Sequence, residues 1–314
     1  MTDPLIPLFR TRDESHHTRL RSDRSLARIR HGVYSPTADW DALPPWERYR
    51  HRVLAFAAVS PQAVFSHESA AVLHGLPIFG EPRDVHVFDS GRSKTKRAGD
   101  VLIHTSEDER EVGRVGSSLV TGLADTAVDL GRVIAPAAAL AVWDAALTVR
   151  CDRADLAEIW HHQSNSRGTR TLSWLTATAD GRAESPLESV SRAVIAWLGF
   201  PAPAIQVSFT AEGASDRLDF FWAHERIAGE ADGNGKYFLK GTDRAREVLT
   251  AEKIREDRLR RHMSGFVRWG FADVLEPDRL RDKLRAAGLR EVQPPDGTLL
   301  ATCRFLARGR RFVS

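Results

Sequence analysis

A mixed α/β fold, of the α+β kind, is predicted by three features of this sequence. Segments with helical periodicity alternate with segments of strand-like alternation, a pattern that packs most simply as helices laid on sheets. Glycine or a polar cluster closes most of these segments. The 314 residues are 42% hydrophobic and 28% charged, with a mean hydropathy of -0.33, so the chain has enough apolar side chain for two domains and a small third module. Disorder as the main state is excluded on the same ground.

The elements follow in order. Residues 1–38 read as a compact basic module. Short helical stretches around 8–12 and 15–20 lead to Ser25–Tyr34, where Leu26, Ile29 and Val33 are apolar. Gly32 punctuates a run that continues as a β wing, the pattern of a small winged helix-turn-helix whose basic side chains meet DNA phosphates. Seven arginines stand against three acids between Phe9 and Arg30, and Arg24, Arg28 and Arg30 are its candidate DNA contacts. The linker 39–45 closes the module. Residues 46–178 read as a second, mixed α/β domain, with helices at 46–58 and 66–75 and strands at 84–88 and 101–104 joined by the basic loop 92–97. Helices then fill 124–130, 136–148, 153–161 and 169–178. The polar stretch 178–182 is the predicted boundary of a third domain, 183–314. There a helix at 184–199 precedes strands at 205–209, 217–222 and 226–232. A helix at 243–263, a strand at 265–269 and a helix at 277–287 complete it.

The chemistry concentrates at Ser215–Gly233. A hairpin turning at His224-Glu225 sets Trp222 opposite Ile227, Phe220 opposite Gly229 and Asp219 opposite Glu230. Opposed Cβ atoms lie roughly 4.5–5.5 Å apart, within reach of one shared divalent cation. Asp232 shares the Glu230 face because side chains alternate with period two. Such acids repel unless a hard cation, magnesium or manganese, compensates them. The Gly233-Asn-Gly235 turn returns Lys236 to the same edge, where a lysine can orient a metal-bound water or stabilise a pentavalent phosphate. The metal ligands expected are Asp219 and Glu230.

At these residues the C-terminal half resembles the PD-(D/E)XK nuclease superfamily, in the branch related to very-short-patch-repair endonucleases. The resemblance covers about residues 184–289 and implies a restriction-endonuclease-like fold. It carries Asp219 and Glu230 over as metal ligands and Glu188 as the helix glutamate near the metal. The late helix and the strand ending in arginine match at 257–269, with Arg258, Arg261 and Arg268 as phosphate contacts. One departure stands out: Asp232 occupies the place of the superfamily's lysine, and that role passes to Lys236. The N-terminal half, about residues 8–150, resembles AbiEi-type antitoxins of type IV toxin–antitoxin systems. The matching pieces are Arg28-Ile-Arg-His-Gly-Val-Tyr34 and Ser66-His-Glu-Ser-Ala-Ala-Val-Leu-His-Gly-Leu76. Together the resemblances imply a DNA-binding protein with an endonuclease-like domain that hydrolyses phosphodiesters. The alternative they leave open is a non-catalytic, antitoxin-type transcriptional regulator that keeps the nuclease fold as a scaffold and pairs with a cognate toxin.

Structural roles compete for the same residues. Ser185-Pro186-Leu187-Glu188 is a capping box. Asp219 can pair with Arg217 or Arg226, and Glu230 and Asp232 can serve as edge-strand charges. His161-His162 reads as solvated surface, Ser66-His67-Glu68 as a helix cap and first turn, and Cys151 and Cys303 as inert thiols too distant for a disulfide scaffold. No phosphate-cradling glycine loop is present. The longest apolar run, 133–143, is too short to span a bilayer, and the first residues carry no basic-then-apolar leader, so a cytoplasmic protein is expected.

Overall fold

A computed structural model describes residues 4–11, 23–233 and 243–306, with the backbone alone over 243–249. It is an α/β protein. Two compact units divide it: one takes the described residues up to Ile134 with Val149–Thr178, the other Ala135–Thr148 with the described residues from Ala179.

The first unit opens with an antiparallel sheet of Phe9–Arg10 (β1), Leu26–Arg30 (β2) and Val33–Pro36 (β3), in the order β1-β3-β2. Gly32, with φ of 79°, makes the turn between β2 and β3. The helical reading of 8–12 is therefore corrected over its described residues, where Phe9–Arg10 is a strand, and the apolar spacing of Leu26 and Ile29 belongs to a strand as well. A register shift between Arg28 and Arg30 marks a bulge. A bulge can turn successive side chains to one side, so a three-residue spacing mimics a helix there. The helical reading of 15–20 lies outside the described residues.

Helices Thr37–Ala42 and Pro45–Val59 follow. A six-stranded sheet is then built from Val64–Phe65 (β4), Val85–Phe88 (β5), Lys96–Ala98 (β6), Val101–His104 (β7), Val112–Val115 (β8) and Ser118–Thr121 (β9). Its order is β6-β7-β5-β4-β9-β8. Tyr49 and Val53 of the second helix pack with Phe65, Val85, Val87, Val101 and Val120 of the sheet. The helix His67–His74 ends at Gly75, whose φ of 80° suits a left-handed cap. One connection is corrected: β5 and β7 run parallel, and β6 pairs antiparallel with β7 on its outer side. The basic segment is thus more than a loop joining the two strands; its end forms the sheet's edge.

The second unit carries the sheet Ala204–Ala211 (β10), Ala214–Trp222 (β11), Ile227–Ala231 (β12) and Gly265–Trp269 (β13), in sequence order. The helix Pro186–Trp197 presents Leu187, Val190, Val194 and Trp197 as buried side chains, and Ser191 accepts the Trp269 indole N–H at 2.8 Å. Leu259 of the long helix Asp243–His262, and Met263 just past its end, pack against Leu218 and Ala228. Helix Pro136–Val149 joins this unit through buried Asp144, which accepts from Arg192 at 2.9 Å and from the Asp180 amide at 2.7 Å. Gly229 carries no side chain because the space is taken. A Cβ there would lie 2.7 Å from the Trp269 ring.

Candidate functional site

The hairpin β11–β12 has the register expected for a turn at His224-Glu225, with Trp222 opposite Ile227, Phe221 opposite Ala228 and Phe220 opposite Gly229. Asp219 and Glu230 are the next residues on their strands. One oxygen of Asp219 accepts the Ala231 amide at 3.0 Å, and the other lies 3.5 Å from the Gln206 side-chain amide. The same Gln206 nitrogen donates to Glu188 at 2.8 Å. Gln206 thereby bridges the helix glutamate and the strand aspartate, from a backbone held at φ of 53°.

Glu188 also helps cap its own helix, although the capping box expected from the sequence is only half formed, its carboxylate taking the Glu184 amide in place of that of Ser185. Its backbone N–H donates to the Ser185 hydroxyl at 3.2 Å, the hydroxyl donates back to its carboxylate at 2.8 Å, and the Glu184 amide donates to it at 3.0 Å. One side chain thus serves the helix start and, through Gln206, is linked to Asp219. The alternative ion pairs of Asp219 do not form: Arg217 pairs with Glu184, and Arg226 donates to the His262 carbonyl.

Glu230 is buried and fully engaged. Arg255 donates to one oxygen at 2.5 Å and Arg268 to the other at 2.7 Å. Sheet register puts Arg268 directly beside it, since Glu230 pairs with Arg268 in the parallel ladder β12–β13. Arg268 reaches Glu252 as well, with Glu256 at 3.3 Å and Asp232 at 3.7 Å. Burial works against the charge of Arg268, yet the Glu252, Glu230 and Asp232 carboxylates hold it protonated beyond the ordinary arginine. Burial pushes Asp219 up to about 6, helped by the charges of Glu188 and Glu230 and opposed by the Ala231 N–H and Arg255.

Asp219, Glu230 and Asp232 thus line one small cavity of about 260 Å³ with Arg217, Ala231, Glu252 and Arg255. As arranged, this donor set does not fit a divalent ion, because both Glu230 oxygens are held by guanidinium groups. Among the described residues no group of three or more His, Cys, Asp or Glu is disposed to hold one. Lys236 lies outside the described residues.

The candidate DNA-contacting arginines fare differently in the two units. Arg258 makes a two-pronged pair with Asp216 at 2.8 and 2.7 Å, and Arg261 one with Glu212 at 2.9 and 2.7 Å. Arg30 pairs with Asp100 at 2.8 Å. Arg24 and Arg28 are exposed and have no ion pair among the described residues.

Sequence reasoning missed Gln206, Glu252 and Arg255. The i, i+3 pair of Glu252 and Arg255 on one helix was the available signal, and it points only to a surface ion pair. It also missed a buried cluster in the first unit. His86 Nδ1 lies 2.9 Å from His104 Nε2, His67 stacks on His104 at 3.8 Å, and Glu68 stands 3.5 Å from His86. Ser66 precedes that helix, but its hydroxyl does not cap it and meets His67 at 3.2 Å instead. His161 and His162 are exposed as read, and burial raises both thiols, Cys151 and Cys303, to about 11.

The chain is similar to two uncharacterized proteins of Mycobacterium tuberculosis, one from strain CDC 1551 / Oshkosh and one from strain ATCC 25618 / H37Rv. Each is 35% identical over 164 residues, covering 52% of this chain and 59% of the relative. The chain thus spans about three fifths of the length of the curated relatives it matches. No family model matches the chain, and no solved structure does.

Proposed function

We propose that this chain is a DNA-binding regulator whose C-terminal unit keeps a nuclease-like acidic cleft and balances it with its own arginines. The observation that carries this reading is the double engagement of Glu230 by Arg255 and Arg268. A divalent ion at Glu230 would have to displace a charge-assisted hydrogen bond made in a buried setting. The same side chains that resemble a catalytic cluster thereby form a closed ion-pair network. DNA contact falls to the first unit, where Arg24 and Arg28 are exposed and without ion pairs among the described residues. A cognate toxin is the protein partner that the antitoxin resemblance implies.

A specific observation favours a second reading, a Mg²⁺- or Mn²⁺-dependent endonuclease. Gln206 ties Glu188 to Asp219, and Asp219 is an acid whose burial and acidic neighbours call for a positive charge. One experiment separates the two. Supercoiled plasmid is incubated with the full chain and either metal, beside a mobility-shift assay without metal. A metal-independent shift with intact plasmid is the expected result. Nicking by wild type that Asp219→Ala and Glu230→Ala both abolish would instead establish the enzyme.

A further inference from the structure

We infer that the loop and edge strand 91–98 form a second phosphate-contacting surface, continuous with β2, that takes the sugar-phosphate backbone of duplex DNA. The inference rests on the DNA-binding reading above and names a surface that reading does not use.

Both strands involved are outermost in their sheets, β6 in the six-stranded sheet and β2 in the three-stranded one. They belong to one unit, and an ion pair joins them: Arg30 at the end of β2 donates to Asp100, two residues past β6, at 2.8 Å. The Arg30 guanidinium also lies 4.4 Å over the Phe56 ring, which fixes its direction. Arg30 is thus spent on fastening the two edges together, and the cations around it remain for a partner.

Between Gly91 and Gly99 the chain has Arg92, Lys94, Lys96 and Arg97 and no acid, and every one of these residues is exposed. Arg97 pairs with Asp84, whereas Arg92, Lys94 and Lys96 have no ion pair among the described residues. A shallow cavity of about 460 Å³ runs along this segment, lined by Gly91, Arg92, Ser93, Lys94, Thr95 and Lys96. Cations with hydroxyls and exposed backbone N–H groups are the groups that contact phosphate oxygens. Lysine on an edge strand also deters pairing with another sheet. That explains Lys96, but not Arg92 and Lys94 on the loop before the strand.

The choice of partner follows from what is missing. None of the large apolar side chains that are exposed among the described residues falls between 23 and 30 or between 91 and 98. An insertion into lipid or the dry centre of a protein interface needs such groups. A repeating phosphate does not.

The test uses the full chain and a labelled 20-base-pair duplex, with affinity read by fluorescence anisotropy from 50 to 200 mM salt. Lys94→Gln with Lys96→Gln is expected to lower the salt slope by roughly two, since each lost contact removes about 0.9. Lys94→Arg with Lys96→Arg should retain the slope. An unchanged slope in the glutamine pair, while Arg24→Gln with Arg28→Gln flattens it, overturns this surface and leaves the DNA-binding reading intact. Absence of binding by wild type overturns both. Loss of binding to an acidic peptide or to anionic vesicles in the glutamine pair, with the DNA slope unmoved, would also overturn the assignment.

Discussion

Removing Arg268 should weaken the C-terminal unit by an amount the structure bounds. Breaking a buried ion pair by deleting one partner typically costs about 3–5 kcal/mol, because a charge is left unpaired. Here Arg255 still holds one oxygen of Glu230, and the Arg268 side chain is 28% exposed against 6% for Glu230. The expectation for Arg268→Met is therefore about 1–2 kcal/mol, reaching the full range of about 3–5 kcal/mol when Arg255→Met is added. Glu230→Gln in the Arg268→Met background should recover much of the loss, giving a coupling of roughly 1–2 kcal/mol. Hydrogen exchange of the β12 amides reports this unit without interference from the other. A second readout is magnesium uptake by calorimetry, expected to be absent in wild type and present in the double methionine variant. Additivity of Glu230→Gln and Arg268→Met within about 0.3 kcal/mol would refute the reasoning. So would stoichiometric magnesium binding by wild type.

Two further outcomes follow from the same sheet. Asp219 has a folded pKa of about 6, above its unfolded value, so the native state holds its proton more tightly and this group's contribution is lost as pH rises from about 4 to 6. Asp219→Asn should remove that loss, since an amide oxygen can still accept from Ala231. It should unfold later in urea than wild type at pH 7, by about 1–2 kcal/mol after discounting for partial solvation, and match it near pH 4; equal differences at both pH values would show that Asp219 is not the titrating group. Gly229→Ala should cost about 1–3 kcal/mol through overpacking. Its Cβ would meet Trp269 at 2.7 and 2.8 Å and Trp222 at 3.1 Å, and Trp269 cannot retreat while its indole is bonded to Ser191. A melting temperature equal to that of wild type would contradict this packing.

The parts legible in the sequence are those governed by short-range rules. The turn placed at His224-Glu225 gives the register of β11–β12, and a slip of one residue would bury Asp219 in place of Phe220. Ser185, Pro186 and Glu188 announced the start of their helix: the Ser185 hydroxyl accepts the Glu188 N–H, while the Glu188 carboxylate takes the Glu184 amide where a capping box would have it take that of Ser185. Local periodicity failed in two places. At Leu26–Arg30 a bulge imitates helical spacing, and at 92–98 a strand too short to alternate visibly forms a sheet edge. The histidine cluster was beyond sequence reasoning for another reason. His67, His86 and His104 come from a helix and two strands, and only the six-stranded sheet brings them together.

Charge partners are the deepest of these long-range effects, and they are what the proposed function rests on. Arg28 and Arg258 look alike in the sequence, each among other basic residues. Asp216 on β11 lies within reach of the helix that carries Arg258, and it converts that side chain into half of an ion pair. Glu212, in the turn before β11, does the same for Arg261. A guanidinium already satisfied by a carboxylate gains little from a phosphate, because the exchange breaks one charge-assisted pair to make another. Arg28 meets no such acid among the described residues, so under the DNA-binding function proposed above the counterions it would release are a net gain. Hence the candidate phosphate contacts Arg258 and Arg261 are taken up by Asp216 and Glu212, and Arg268, with Arg255, supplies the counter-charge of Glu230 in the acidic cleft.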